Sequence, residues 1–182
     1  VLDASVLERN LSFTLQLIEL ETPMIIALNQ MDMAKKKGIE VDAEKLENLL
    51  GIPVIPTVAI KGIGIFKLLE KAIEIAEKET AVKPFEVKYG EEVEERIAKI
   101  TKMIDETQFL YPSRYVAVKL LERDEEIARE VNRVNPQAVS TAKRLAKEIE
   151  NLHGHSCPTV ITSERYETAG CIAREAQKLV PP

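Results

Sequence analysis

No uninterrupted apolar run in this sequence approaches the roughly 20 residues needed to cross a bilayer, so nothing in it reads as a membrane span. Cysteine is scarce: there are two, with no Cys-x-x-Cys pair, and no stretch here reads as a secretory leader. That usage fits a reducing, cytoplasmic setting. A basic excess is also missing. The formal charge is −5, of which −4 falls on residues 1–80 (13 acidic against 9 basic side chains) and −1 on the remainder (17 against 16). Without a positive field, nucleic acid is not an expected partner. What the chain does have is 182 residues with 45% hydrophobic content, enough to bury a real core in one domain or two small ones.

The most informative stretch is Pro23-Met24-Ile25-Ile26-Ala27-Leu28-Asn29-Gln30-Met31-Asp32. Residues 24–28 are apolar without a period, as in a strand buried on both faces of a parallel sheet. Asn29 and Asp32 therefore fall at the carboxyl end of a strand, the edge at which open α/β sheets bind ligands. Guanine suits such a pair. Its N1–H and 2-amino group are adjacent donors that one carboxylate accepts together, and its O6/N7 edge can meet an amide. Adenine offers no such donor pair. Each charge-assisted hydrogen bond contributes roughly 1.5–3 kcal/mol, and the wrong base leaves the carboxylate unpaired. Asn-x-x-Asp alone is also what a turn looks like in which Asn ends a strand and Asp caps the next helix.

The flanking grammar supports the α/β setting. Residues 1–4 read as the end of a strand, with Ser5 placed to cap a helix carrying Val6, Leu7, Leu11, Leu15, Leu17, Ile18 and Leu20 at helical spacing. After strand 24–28 come an exposed Lys35-Lys36-Lys37-Gly38 turn and a helix over 43–50 capped by Asp42. A second apolar strand follows at 52–57, then an amphipathic helix over 65–79. Strand and helix in alternation predict a right-handed parallel sheet. From about residue 81 the pattern changes: 85–88 is a short strand or linker, and helices are expected over 91–107, 113–121, 124–132, 137–151 and 159–179. Pro112, Pro136 and Pro158 stand at helix starts, where a missing N–H costs little. The fold class is thus α/β followed by all-α, with domains at 1–80 and 81–182. The Lys/Glu run at 91–96 reads as a solvated helix face.

Several of these stretches resemble one family in its own order. Asp3-Ala4, Leu7-Glu8-Arg9-Asn10-Leu11, Leu15-Gln16-Leu17, Asn29-Gln30-Met31-Asp32 and Gly51-Ile52-Pro53-Val54-Ile55-Pro56-Thr57 are similar to the G domain of ferrous iron transport protein B, FeoB. Tyr111-Pro112-Ser113-Arg114-Tyr115, Lys119-Leu120-Leu121-Glu122 and Glu164-Arg165-Tyr166 resemble the helical domain that follows it. The resemblance implies a partial parallel-sheet GTPase domain fused to a helical bundle resembling a guanine-nucleotide dissociation inhibitor. It places the chain at the cytoplasmic face of the cell membrane, beside a membrane-embedded Fe(II)-transport domain of the same polypeptide. It also implies GTP hydrolysis in the intact protein that controls iron uptake, a bundle that slows GDP release, and leaves a homo-oligomer open. By resemblance the nucleotide-binding residues are Asn29, Gln30, Asp32, Thr57, Val58 and Ala59, with a backbone N–H of the 57–60 loop supporting the guanine carbonyl.

The sequence departs from the family pattern in three ways. Gln30 stands where Lys or Met often packs its stem on the base, and Val58 stands where Ser is frequent. More important, no Gly-x-x-x-x-Gly-Lys-Ser/Thr occurs, nor an Asp-x-x-Gly before the first helix. The bound species implied is GTP or GDP, with Mg²⁺ in the intact protein held by residues outside this chain, so no catalytic residue is assigned here. The expectation is a piece of a longer gene product whose missing strands would cover the sheet.

His153, His155 and Cys157 alternate around Gly154 but lack a fourth ligand, and read as caps between helices rather than a metal site. Cys157 and Cys171, 14 apart, would be about 21 Å apart in one helix, too far for a disulfide, and Cys171 reads as a small packed residue. Tyr111, Tyr115 and Tyr166 are expected to pack the bundle with hydroxyls at its edge. The competing functional class is a non-catalytic helical interaction module with a degenerate α/β lobe.

Overall fold

The computed structural model describes residues 1–78 and 85–180. They fall into two compact units, one drawn from residues 1–86 together with 166–182 and the other from 87–165.

In the first unit, β1 (Leu2–Asp3), β2 (Ile26–Asn29) and β4 (Val54–Pro56) form a parallel sheet in the order β1-β2-β4. Leu28 lies opposite Leu2 and Ala27 opposite Ile55. The crossover from β1 to β2 is α1 (Leu7–Ile18). It buries Leu7, Leu11, Leu15 and Ile18, one stripe at helical spacing. Its start differs from the expected Ser5 cap. Asp3 Oδ1 accepts from Ser5 N at 2.8 Å and opens a 3-10 turn over Ala4–Val6 that runs on into α1, while Ser5 Oγ accepts from Lys37 Nζ at 3.1 Å. Asp competes for this role because its carboxylate reaches a backbone donor two residues on.

Of the expected Lys35–Gly38 turn, Lys37 and Gly38 do turn, whereas Lys35 and Lys36 end a helix, α2 (Met31–Lys36), as a basic last turn that suits the negative end of its dipole. Gly38, at φ +69°, ends it and feeds β3 (Ile39–Val41). β3 pairs antiparallel with β5 (Gln177–Leu179), setting Ile39 against Leu179 and Val41 against Gln177. Val180 N extends the ladder to Gly38 O at 2.8 Å. A β-carbon on Gly38 would lie 2.5 Å from Val180 O, so only glycine admits the strand this closely. Next, α3 (Ala43–Leu50) opens on Asp42, whose Oδ1 accepts from Lys45 N at 2.9 Å, and closes on Gly51 at φ +64°. The last helix before the break is α4 (Ile65–Lys78); Glu79 of the expected helix and residues 80–84 lie outside the described residues. Phe66, Leu69 and Ile73, which share one face of α4, are 75%, 57% and 58% exposed.

The second unit is helical: α5 (Glu91–Asp105), α6 (Ser113–Leu121), α7 (Glu125–Val134), α8 (Pro136–His153) and the first part of α9 (Cys157–Ala176). Val93, Ile97, Ile100 and Ile104 of α5 are fully buried, as are Val116 and Leu121 of α6. Asp124 caps α7 by accepting from Glu126 N and Ile127 N. Asn135 accepts from Ala138 N at the start of α8 and donates to Met103 O, so one amide both caps a helix and ties it to the end of α5. The charged run on α5 is less solvated than its sequence suggests. Glu94 holds both terminal guanidinium nitrogens of Arg114, at 2.7 and 2.8 Å, and Arg96 meets Glu148 at 3.1 Å. Residues 85–88 form no strand, and α9 stops at Ala176, giving its expected last turn to β5. No helix among the described residues is long and apolar enough to cross a membrane.

Candidate functional site

Asn29 is the last residue of β2, and a left-handed residue, Gln30 at φ +61°, turns the chain from strand into α2. That turn brings Asp32 into the first turn of α2, three residues beyond Asn29. Asn29 Oδ1 accepts from Ala59 N at 2.9 Å and from Thr57 Oγ1 at 3.1 Å. A backbone N–H can only donate, which assigns the oxygen and leaves the amide NH₂ with two donors. The 57–64 loop is fixed further by Thr57 N donating to Leu28 O at 2.8 Å and by a bridge between Val58 and Ile63. Thr57 and Val58 are buried; Gln30, Ala59 and Ile60 are exposed. The N–H groups of Thr57, Val58 and Ala59 are all spent on these internal bonds; that of Ile60 is not drawn into any of them. All six residues singled out from the sequence thus meet at the carboxyl edge of β2 and β4.

Gly64, at φ +79°, closes the loop; a β-carbon there would stand 2.2 Å from Pro56 O. Asp32 is gripped from two sides. Its Oδ1 accepts from Met33 N at 3.0 Å and its Oδ2 from Lys61 Nζ at 3.0 Å. The hydrogen bond from Lys61 holds the carboxyl below the ordinary value of 3.8, so it is ionised at neutral pH. Lys61 was not singled out from the sequence. Its only signal there was its place between the strand end and Gly62.

The other candidates are dispersed. His153 Nε2 lies 2.9 Å from Glu92 Oε1 without good hydrogen-bond geometry, whereas His155 is exposed and Cys157 buried. Burial pushes the Cys157 thiol up to about 12, which disfavours the thiolate a metal requires. Among the described residues no group of three His, Cys, Asp or Glu could hold a metal ion. Both cysteines are free, and Cys171, expected to be packed, is exposed beside Arg174, 3.2 Å from its Nη2. Tyr166 is 47% exposed rather than packed, while Tyr111 and Tyr115 do pack together, their rings tilted by 51° with 5.8 Å between centroids. The buried polar group of the helical unit is Arg165, 1% exposed, bonded to Glu122 Oε1 at 2.8 Å and to the Tyr89 hydroxyl at 3.0 Å.

A profile of ferrous iron transport protein B matches residues 1–72, and one of the FeoB cytosolic helical domain matches residues 89–178. The chain belongs to the FeoB family. It is 35% identical over 175 residues to the Fe(2+) transport protein A/Fe(2+) transporter FeoB fusion protein of Porphyromonas gingivalis, covering 91% of this chain and 21% of that one. A solved S. thermophilus NFeoB mutant bound to GDP superposes with TM-score 0.83 at 27% identity, over 98% of this chain and 67% of its own. Another NFeoB mutant from S. thermophilus, bound to GMPPNP, gives TM-score 0.82 at 27% identity over 96% and 67%. The fold is therefore that of the FeoB G domain and helical domain, a small parallel sheet with helices followed by a helical bundle. The chain spans about a fifth to a quarter of the length of the curated FeoB relatives it matches along most of its own length.

Proposed function

We propose that this chain supplies the base-reading part of a guanine-nucleotide site in the cytosolic region of an Fe(II) transporter. The observation that carries this reading is the pairing at the β2/β4 edge. Asn29 braces the 57–59 loop through its carbonyl oxygen, and the ionised Asp32 carboxylate stands three residues on, in the first turn of α2. In this reading Asp32 accepts guanine N1–H and the 2-amino group, and the Asn29 NH₂ faces the O6/N7 edge. Thr57, Val58 and Ala59 shape the floor, Ile60 N–H is the donor left for the guanine carbonyl, and Gln30 lies beside the base.

The residues present suit a guanine base, and solved relatives of the same fold carry GDP and GMPPNP. This chain contains no phosphate-cradling Gly-Lys-Ser/Thr loop, so it orients the base, while phosphate binding, Mg²⁺ and hydrolysis belong to other parts of the protein. Iron uptake at the membrane, governed by the nucleotide, is the process this region would serve. Calorimetric titration of the full-length protein with GDP and ADP tests the reading. GDP is expected to bind at least about a hundredfold more tightly, because adenine has no adjacent donor pair to offer the carboxylate. Equal affinities would overturn it.

A further inference from the structure

We infer that Lys61 is a tethered competitor for the base-reading carboxylate, a cation that guanine must displace from Asp32 in order to bind. This rests on the guanine reading above. Asp32 has two oxygens, and both are engaged: Oδ1 by Met33 N within its own helix turn, Oδ2 by Lys61 Nζ at 3.0 Å. A guanine edge needs the outward side of that carboxylate for two donors at once. The Lys61 ammonium presents charge and N–H donors to the same lone pairs, so the two occupants exclude each other.

The geometry favours a movable competitor. The Asp32 side chain is 23% exposed and that of Lys61 55%, so the pair is screened and its net strength modest. Lys61 ends the 3-10 turn Ala59–Lys61, whose cap is Gly62 at φ +69° with nothing within 4 Å of its missing β-carbon. The backbone around it stays anchored by the Val58–Ile63 bridge and by Asn29. The ammonium can therefore swing away on its four-carbon stem while the loop that frames the base stays in place. Lys61 thus lowers affinity for any base that must clear it, whereas the choice between guanine and adenine remains with Asp32.

Stopped-flow and equilibrium binding of a fluorescent GDP analogue to the full-length protein tests this. Lys61→Ala and Lys61→Met are expected to tighten GDP by roughly two- to fivefold, the range of an exposed ion pair, mainly through faster association. Lys61→Arg, which keeps the cation, is expected to stay close to wild type. The gain should shrink as salt is raised, and should vanish in an Asp32→Asn background, where no carboxylate is left to contest. Unchanged or weaker GDP binding in Lys61→Ala would overturn the inference. The underlying reading fails separately: if Asp32→Asn keeps the preference for GDP over ADP, the base is read elsewhere. If that preference is lost while Lys61→Ala does not tighten binding, the competitor role alone is wrong.

Discussion

At the scale of single residues, the loop opposite Asp32 depends on two left-handed glycines that differ in their surroundings. Gly62 and Gly64 both have positive φ, but a side chain at 62 meets open space, whereas one at 64 runs into the Pro56 carbonyl at 2.2 Å. Gly64→Ala therefore combines backbone strain, on the order of 1–3 kcal/mol, with a clash that must move either β4 or the loop. Gly62→Ala carries the strain alone. Thermal melts of the two variants are expected to rank Gly64→Ala well below Gly62→Ala, and GDP affinity should fall with it. Equal melting temperatures would show that the loop relaxes freely around position 64. Asn29 and Asp32 were legible as a site because an apolar strand breaking into two polar residues is a local signal. Lys61 was not, because an ion pair across 29 residues leaves no trace in spacing.

At the scale of elements, local patterns located the longer helices but not the short α2, and non-local pairing decided the strands they missed. The Asp42 cap and the Gly51 stop bound α3 where a side-chain cap and a left-handed glycine predict. By contrast Gln177-Lys178-Leu179 continues a long helical pattern, and becomes a strand only because Ile39–Val41, far away in sequence, offers it an edge. The charged run on α5 shows the same limit. Its period was read correctly, but Glu94 is drawn inward by Arg114. Burial alone would raise the Glu94 carboxyl; the Arg114 guanidinium and the Tyr89 N–H outweigh it and hold the carboxyl below its ordinary 4.5. A depressed carboxyl contributes stability above the unfolded value and loses it as pH falls through the folded one. The wild-type helical unit is thus expected to lose stability below about pH 4.5 more steeply than Glu94→Gln, which should also be less stable at neutral pH. Chemical denaturation at neutral pH and in acid measures this. Parallel pH profiles for the two proteins would remove Glu94 from the account.

At the scale of the whole molecule, the collinear resemblance in the sequence and the division into a parallel α/β unit and a helical unit point the same way, because period and strand-helix alternation are encoded along the chain. The return of residues 166–180 to the first unit was not legible, since it follows from β5 pairing and not from composition. Nor did the sequence reveal that Arg165 would be buried against Glu122 and Tyr89, an arrangement that depends on three separated segments. The central claim remains that one carboxylate gives the protein its choice of base. The direct measurement is calorimetry of GDP and ADP on full-length Asp32→Asn beside wild type. An asparagine cannot accept two donors with a charge, so the account predicts that the preference for GDP collapses towards equal affinities while the fold, followed by circular dichroism, is retained. A folded Asp32→Asn protein that still prefers GDP as strongly as wild type would contradict it.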